Sequence, residues 1–158
     1  MQQQITPCLW FDTEAEEAAL FYTSVFKDSR ILEVSRYGED MHKPAGTVLT
    51  VEFELKGQRF TALNAGPDRG FNESISFQVS CAGQEEVDHY WSRLTEDGEE
   101  SQCSWLKDRY GVSWQIVPTR LPELLTDPDP ERAHRAMQAM MGMRKIDIAA
   151  LERAADGG

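Results

Sequence analysis

Hydrophobic and polar positions alternate along several short runs of the chain, and this alternation predicts strands. In residues 47–55, for example, Val51, Phe53 and Leu55 alternate with threonine and glutamate. A two-residue repeat of this kind is typical of a strand with one buried face. Further strand-like runs lie at 5–11, 30–37, 58–64, 73–81, 100–106 and 112–117.

Two other segments, 15–26 and 84–94, repeat with the period of an α-helix. Their apolar positions follow the i, i+3, i+4 and i+7 spacing that forms one stripe along a helix. Thr13 and Glu16 offer a capping box at the start of the first helix. The two stripes consist of Ala15, Ala18, Ala19, Tyr22, Val25 and Phe26, and of Val87, Tyr90, Trp91 and Leu94.

The order strand, helix, further strands occurs twice, at a period of about 70 residues. We therefore expect a single α+β domain over residues 1–158, with one module at 1–70 and a second at 71–120. The tail, 121–158, is predicted to be helical and to provide cover and a dimer contact, or alternatively a Met-rich binding surface. Its helical segments are 121–125, 130–143 and 146–155.

Composition and charge narrow the possible partners. Apolar residues make up 41% of the 158 residues, which is enough for a packed core. The sequence has 27 acidic and 16 basic side chains, for a net charge of -11. We therefore expect the protein to repel nucleic acid and anionic membranes. The start, Met1-Gln-Gln-Gln-Ile-Thr, lacks the basic and apolar regions expected of a secretory leader, and the sequence has no apolar run of about 18 residues. A cytoplasmic protein without nucleic-acid or membrane partners is expected.

Familiar catalytic motifs are missing from the sequence. The three cysteines lack C-x-x-C spacing, and we interpret them as reduced, with Cys8 and Cys81 as small apolar fillers in strands. No nucleophile elbow, P-loop or glycine-rich dinucleotide fingerprint is found. Asp108-Arg109-Tyr110-Gly111 favours a tight turn over an anion site at Arg109. The histidines, interpreted as surface residues, are His42, His89 and His134.

Three segments together carry a resemblance to a known family. They are Glu17-Ala-Ala-Leu-Phe-Tyr in the first helix, Phe60-Thr-Ala-Leu-Asn-Ala-Gly-Pro, and Trp105-Leu-Lys-Asp-Arg-Tyr-Gly-Val-Ser-Trp-Gln-Ile-Val-Pro. In this combination the chain resembles the PhnB-like branch of the vicinal oxygen chelate superfamily, also called the glyoxalase/bleomycin-resistance superfamily. Lys145-Ile-Asp-Ile-Ala-Ala-Leu in the tail is similar to that branch too.

The resemblance implies tandem βαβββ modules whose curved mixed sheets enclose a pocket, usually in a homodimer. Metal-dependent relatives place His, Glu or Gln on the first and last strands of each module. Carried over onto this chain, those metal slots fall near Thr6, Thr61, Ser74 (or Ser76 if the strand shifts) and Gln115. Only Gln115 is a plausible ligand, because neutral hydroxyls hold divalent ions weakly. We therefore predict no cofactor and disfavour a divalent metal.

A ligand pocket is predicted from strand alternation and from aromatic residues near polar ones. Two alternatives stay open: each tryptophan is equally explained by core packing, and Asn64 by a turn. No catalytic residue is assigned. The predicted pocket residues are Thr6, Cys8, Trp10, Phe60, Asn64, Ser74, Ser76, Trp105, Trp114 and Gln115.

The leading functional hypothesis is a small-molecule-binding protein, or a metal-independent enzyme, that acts on an aromatic or partly apolar metabolite. The alternative is a metal-dependent lyase, isomerase or thiol transferase of the same superfamily. Similar sequences often carry the label 3-demethylubiquinone-9 3-methyltransferase, which we disfavour because no glycine-rich turn for S-adenosylmethionine is found. An interaction partner that docks through the Met-rich tail is a further possibility.

Overall fold

A computed structural model describes residues 3–158, and the chain divides after Gly70 into two compact units. Each unit contains a four-stranded mixed sheet and a helix that follows its first strand. The predicted α+β fold of tandem βαβββ modules is therefore confirmed. Within the described residues, no helix has the length and apolar character needed to cross a membrane.

In unit 1, the strands of the sheet are ordered β1-β4-β3-β2, with β1 parallel to β4 and the other neighbours antiparallel. The helix α1 packs on β2, β3 and β4. The register of β2 against β3 shifts at two places, which marks irregular pairing along that edge. The elements are β1 (Cys8–Phe11), α1 (Ala15–Val25), β2 (Ser29–Arg36), β3 (Val48–Leu55) and β4 (Gln58–Asn64).

The core of unit 1 lies between α1 and one face of this sheet. Ala15, Ala18 and Ala19 are fully buried, and their small side chains let the helix backbone approach the strands closely. Aromatic rings fill the space beyond them: the ring centroid of Phe53 lies 6.0 Å from that of Tyr22 and 5.3 Å from that of Phe60. The predicted apolar stripe of α1 is thus the buried one.

The predicted capping box at the start of α1 is wrong. Glu14, not Thr13, occupies the N-cap position, and no side chain next to it in sequence caps the helix. The backbone N–H of Ala15 instead donates to Asn64 Oδ1 at 2.9 Å. A residue at the far end of β4 therefore satisfies a free N–H of the first turn, which local sequence cannot reveal.

Asn64 is a buried polar residue of unit 1 with three hydrogen bonds. Besides its bond to α1, its Nδ2 donates to the carbonyl of Val48 at 3.1 Å, and its own carbonyl accepts the Tyr37 hydroxyl at 2.6 Å. The residue is only 6% exposed. These bonds tie the helix to the sheet at the ends of β3 and β4.

In unit 2, the strands are ordered β5-β8-β7-β6, again with the first and last strands parallel. The predicted strand 100–106 is divided into two, because Cys103 and Ser104 adopt φ angles of 55° and 81° and interrupt the extended backbone. The elements are β5 (Ser76–Cys81), α2 (Gln84–Thr95), β6 (Glu99–Glu100), β7 (Trp105–Lys107), β8 (Ser113–Pro118), α3 (Arg120–Leu125), α4 (Pro130–Met141) and α5 (Ile148–Ala155).

The tail of helices α3, α4 and α5 forms its own small apolar cluster and is hydrogen-bonded to α2 and to the segment before β7. The side-chain amide of Gln84 donates to the carbonyl of Ile146 and accepts from the N–H of Ile148, at 2.9 and 2.8 Å. A second attachment joins backbone N–H groups 103 and 104 to carbonyls 143 and 144. The buried cluster consists of Leu121, Leu124, Ala136, Ile146, Leu151 and Ala155.

The turn between β7 and β8 depends on Asp108, which is 3% exposed. Its Oδ1 accepts the backbone N–H groups of Tyr110 and Val112, and its Oδ2 accepts the Trp114 indole N–H at 2.9 Å. The predicted tight turn is confirmed, with Gly111 at a φ of 89°. Asp108 is thus a structural hub of unit 2.

Replacing Asn64 by alanine is expected to lower the free energy of unfolding by about 2 to 3 kcal/mol, because a helix cap and a second buried hydrogen bond are lost together. Urea denaturation followed by circular dichroism measures the change. Asn72→Ala is the control: its side chain accepts one exposed hydrogen bond, from Ser74 N. An equal loss in the two variants would contradict the role given to Asn64.

Candidate functional site

Each sheet has one face covered by the helix that follows its first strand, α1 or α2, and one face that this helix does not cover. In unit 1 the alternation of burial separates the two clearly, since Phe60 and Ala62 are buried under α1 while Thr61 and Leu63 are half-buried on the other side. We call this second side the helix-free face of unit 1. It carries Cys8, Trp10, Thr50, Glu52, Arg59, Thr61 and Leu63.

Trp10 and Leu63 form the apolar part of this face. They are register partners on the parallel strands β1 and β4, and both are half-buried. The indole N–H of Trp10 donates to the carbonyl of Gly66 at 2.8 Å, and the Arg69 guanidinium lies 5.6 Å from the ring centroid. The hydrogen bond fixes the ring in place, so a flat aromatic surface is presented beside Leu63.

Glu52 is the central polar group of the same face, and the sequence analysis missed it. Its Oε1 accepts the Thr61 hydroxyl at 2.8 Å, and its Oε2 lies 3.4 Å from Arg59 Nη2. In the sequence, Glu52 falls on the polar side of the alternation in β3, where a side chain is expected to be solvated. Only the register of β3 with β4, where Glu52 pairs with Thr61, shows that it has partners.

Cys8 lies beside Thr61 in the register of β1 and β4, and its side chain is exposed. Its predicted role as a small apolar filler is therefore wrong, whereas Cys81 is buried as expected. Partial burial, and secondarily the negative charge of Glu52, raise the pKa of the Cys8 thiol. The thiol is therefore protonated at neutral pH. Because the thiolate is the nucleophilic form, this environment does not suit Cys8 to nucleophilic catalysis.

In unit 2, Gln115 lies on the sheet face opposite α2, and Val117, two residues along the same face, packs against the helical tail. The Gln115 Nε2 donates to the Ser76 hydroxyl at 2.8 Å, and its Oε1 lies 3.5 Å from Gln78 Nε2. Trp105 is the register partner of Gln115 on β7 and is half-buried. The structure thus brings together three predicted pocket residues of the second module: Ser76, Trp105 and Gln115.

Other predicted pocket residues lie elsewhere. Phe60, Asn64 and Trp114 are on the helix-covered faces, where each is buried by at least nine-tenths. Strand parity places them there, because each alternates with a residue of the helix-free face. The remaining two, Thr6 and Ser74, lie before β1 and β5 in exposed, irregular segments.

The residues at the positions where metal-dependent relatives place their ligands do not fit a divalent ion. The hydroxyl of Thr61 is engaged by Glu52, and the Gln115 amide is engaged by Ser76 and Gln78. These donors are neutral, whereas divalent ions in proteins are held mainly by carboxylates, imidazoles or thiolates. Among residues 3–158, no group of three His, Cys, Asp or Glu side chains is placed to hold a metal ion.

The three histidines take separate positions outside the strands that carry these residues. His42 contacts Tyr37 in the loop between β2 and β3, with ring centroids 5.1 Å apart. His89 lies on α2, edge-on to Tyr90. His134 is exposed on α4. None of them adds an imidazole to the polar groups described above.

Comparison with protein families identifies what the sequence is similar to. The model of the family described as 3-demethylubiquinone-9 3-methyltransferase matches residues 3–117, well over half of the chain. None of the curated proteins compared with this sequence matches it.

Several solved structures are also similar to this chain. The PhnB protein from Bacillus cereus, which carries the same family description, is 37% identical with a TM-score of 0.68, and the match covers 74% of this chain and 100% of that one. Protein PA1353 from Pseudomonas aeruginosa is 19% identical with a TM-score of 0.62, over 74% and 98%. The fosfomycin resistance protein FosX from Listeria monocytogenes is 12% identical with a TM-score of 0.54, over 78% and 98%. The last two show the fold alone.

Alkylation of Cys8 by iodoacetamide is expected to show an apparent pKa above the ordinary cysteine value of about 8.5. Mass spectrometry of a Cys103→Ser background across a pH series isolates this thiol, because Cys81 is buried. Glu52→Gln should lower the pKa of Cys8, since a neighbouring negative charge is removed. Glu54→Gln, on the same strand, is the control and should leave it unchanged. The same Cys8 pKa in the parent protein and in Glu52→Gln would refute the effect of Glu52 on this thiol.

Proposed function

Because this chain belongs to the 3-demethylubiquinone-9 3-methyltransferase family, the PhnB-like branch of the vicinal oxygen chelate superfamily, we propose that it is a small-molecule-binding protein or a metal-independent enzyme. The membership expected from the sequence is confirmed. The observation that carries the proposal is the helix-free face of unit 1, where Trp10 and Leu63 lie beside the Glu52–Thr61 pair.

This arrangement suits an aromatic or partly apolar ligand. The ring of Trp10 and the side chain of Leu63 remain half-buried and offer apolar area that a flat ligand would cover. Glu52 is an acceptor with two oxygens, so it can orient a hydroxyl or amine of the ligand in addition to Thr61. Apolar area with a few directed polar groups is the usual composition of a small-molecule site.

A metal-dependent lyase, isomerase or thiol transferase is the alternative within the superfamily. A divalent ion in such an enzyme acts as a Lewis acid on substrate oxygens. The hydroxyl of Thr61 and the amide of Gln115 speak against it here, because both groups are neutral, poor ligands that are already hydrogen-bonded to protein groups. We therefore place no step of the proposal on a metal.

Methyl transfer, which the family description names, finds little support in the local chemistry. A nucleotide-like cofactor is commonly held at a glycine-rich turn between a strand and a helix. The corresponding turn after β1 is Asp12-Thr13-Glu14, which carries two carboxylates, and the turn after β5 is Ala82-Gly83. We regard the description as the name of a family rather than the activity of this chain.

We also propose that the protein forms a homodimer in the cytoplasm. The superfamily is usually dimeric, and α4 keeps Met137 and Met141 exposed, which are apolar side chains suited to a subunit contact. Size-exclusion chromatography with light scattering should give twice the mass of one chain. Met141→Glu should shift the protein to a monomer, whereas a monomeric parent protein would refute the proposal.

Screening of small hydroxylated aromatic compounds by thermal shift and tryptophan fluorescence is expected to find a ligand. For that ligand, Trp10→Ala should weaken binding by about 30-fold, which corresponds to about 2 kcal/mol of lost apolar contact. Leu63→Ala should weaken it too. Leu20→Ala, the same change on the exposed side of α1, is the control and should have no effect.

Three outcomes separate the hypotheses. Binding that survives EDTA and shows no turnover supports a binder, and turnover under the same conditions supports a metal-independent enzyme. Activity lost in EDTA and restored by a divalent metal would replace the proposal by the metal-dependent alternative. Ligands whose affinity is unchanged in both Trp10→Ala and Leu63→Ala would show that the helix-free face of unit 1 is not the site.

A further inference from the structure

The loop that follows β4 places an arginine on the aromatic ring of the helix-free face of unit 1. The indole N–H of Trp10 donates to the carbonyl of Gly66 at 2.8 Å, and the guanidinium carbon of Arg69 lies over the same ring, 5.6 Å from its centroid. Gly66 has a φ of 113°, so the bend of the loop at this point depends on glycine. Trp10 thus both anchors the loop and stacks on its cation.

The guanidinium of Arg69 has donors that the described chain does not use. Its Nη1 donates to the carbonyl of Asp68 at 3.1 Å. Among residues 3–158, no carboxylate forms an ion pair with Arg69. An arginine side chain carries several N–H donors in a planar arrangement that matches a carboxylate. Arg69 therefore lies beside apolar surface with a charge that no ion pair neutralises.

Arg69 also decides which sign of ligand charge this side of the face accepts. The face of a tryptophan ring attracts cations, and on Trp10 the guanidinium already takes that position. A cationic ligand beside Trp10 would be repelled by Arg69. An aromatic carboxylate would gain apolar contact and charge-assisted hydrogen bonds together. The charged end of the ligand is therefore expected to be anionic.

Glu52 lies on the opposite side of Leu63 from Trp10. Leu63 is on β4, whose two neighbours are β1, which carries Trp10, and β3, which carries Glu52. The strands β1 and β3 are therefore about 10 Å apart, twice the usual spacing of neighbouring strands. That distance suits a single aromatic ring over Leu63 with a hydrogen-bonding group at each end.

The carboxylate of Glu52 selects the group at the second end of such a ring. It has about four lone-pair sites, and the Thr61 hydroxyl and Arg59 use part of this capacity. The remainder can accept a hydrogen bond from a ligand hydroxyl, whereas a ligand carboxylate at this end would be repelled. Arg59 balances part of the charge of Glu52, which reduces its repulsion of an anion bound near Arg69.

From these contacts we propose that the ligand of the helix-free face of unit 1 is a hydroxylated aromatic carboxylate. The carboxylate binds the Arg69 guanidinium, the ring lies on Leu63 beside Trp10, and the hydroxyl donates to Glu52. This inference rests on the proposed function, because it names the class of ligand for the same site.

The test is isothermal titration calorimetry of the full-length protein with 4-hydroxybenzoate at constant ionic strength. We expect it to bind about tenfold more tightly than 4-hydroxybenzamide, which has nearly the same shape without the charge, since an exposed charge-assisted contact has an effect of this size. Benzoate lacks the hydroxyl, and tyramine carries an ammonium group in place of the carboxylate. Both should bind more weakly than 4-hydroxybenzoate.

Substitutions assign each end of the ligand to its partner. Arg69→Gln should reduce the preference for 4-hydroxybenzoate over 4-hydroxybenzamide to about twofold or less, because the positive charge is gone. Arg69 is exposed, so this variant is expected to fold. Lys27→Gln removes a positive charge from an exposed residue of unit 1 outside the sheet and is the matched control, which should keep the preference. Glu52→Met should reduce the preference for 4-hydroxybenzoate over benzoate.

Three results would overturn the inference. They are no binding of 4-hydroxybenzoate, equal affinity for 4-hydroxybenzoate and 4-hydroxybenzamide in the parent protein, and a preference for the carboxylate that persists in Arg69→Gln. Each of them leaves the proposed function standing for other aromatic ligands whose binding depends on Trp10 and Leu63. Binding of 4-hydroxybenzoate that is unchanged in Trp10→Ala and in Leu63→Ala would instead reject the face itself as the site.

Discussion

The side-chain amide of Asn64 holds α1 against one face of the unit 1 sheet and so decides which face is left uncovered. By accepting the first N–H of α1 and donating to the carbonyl of Val48, it holds the start of the helix against the end of the sheet. One face of the sheet is thereby committed to packing. The opposite face, which carries Trp10 and Glu52, stays available because the helix packs only on the other side of the sheet.

Unit 2 solves the same problem with different residues. Its first and last strands again pair in parallel, but β8 ends in Pro118 where β4 ends in Asn64, so no amide is present to cap the second helix. The polar hub is instead Asp108, which fixes the turn before β8 and the indole of Trp114. The two modules therefore share their topology while their individual hydrogen bonds differ.

Much of the fold follows from local pattern, while the site depends on pairing between distant residues. Alternation identified β4 with its bounds, Gln58–Asn64, and the helical stripe found the buried residues of α1. It could also sort residues of a strand into two sets, but it could not say which set a helix covers. Phe60, Asn64 and Trp114 were therefore predicted as pocket residues although they lie under helices. Glu52 was missed for a related reason, because its partner Thr61 comes from the next strand. The helix cap shows the same limit, since it joins residues 49 positions apart.

The backbone just before Trp105, where β7 begins, is hydrogen-bonded to the segment between α4 and α5. Cys103 and Ser104 are held at positive φ, a conformation that residues with side chains rarely adopt, and their N–H groups are retained by the carbonyls of Met143 and Arg144. The match to the family model ends at residue 117, before this tail begins. The backbone that leads into Trp105 is thus held by a segment beyond the matched residues, so removal of the tail would take away the two hydrogen bonds that retain Cys103 and Ser104 in this conformation.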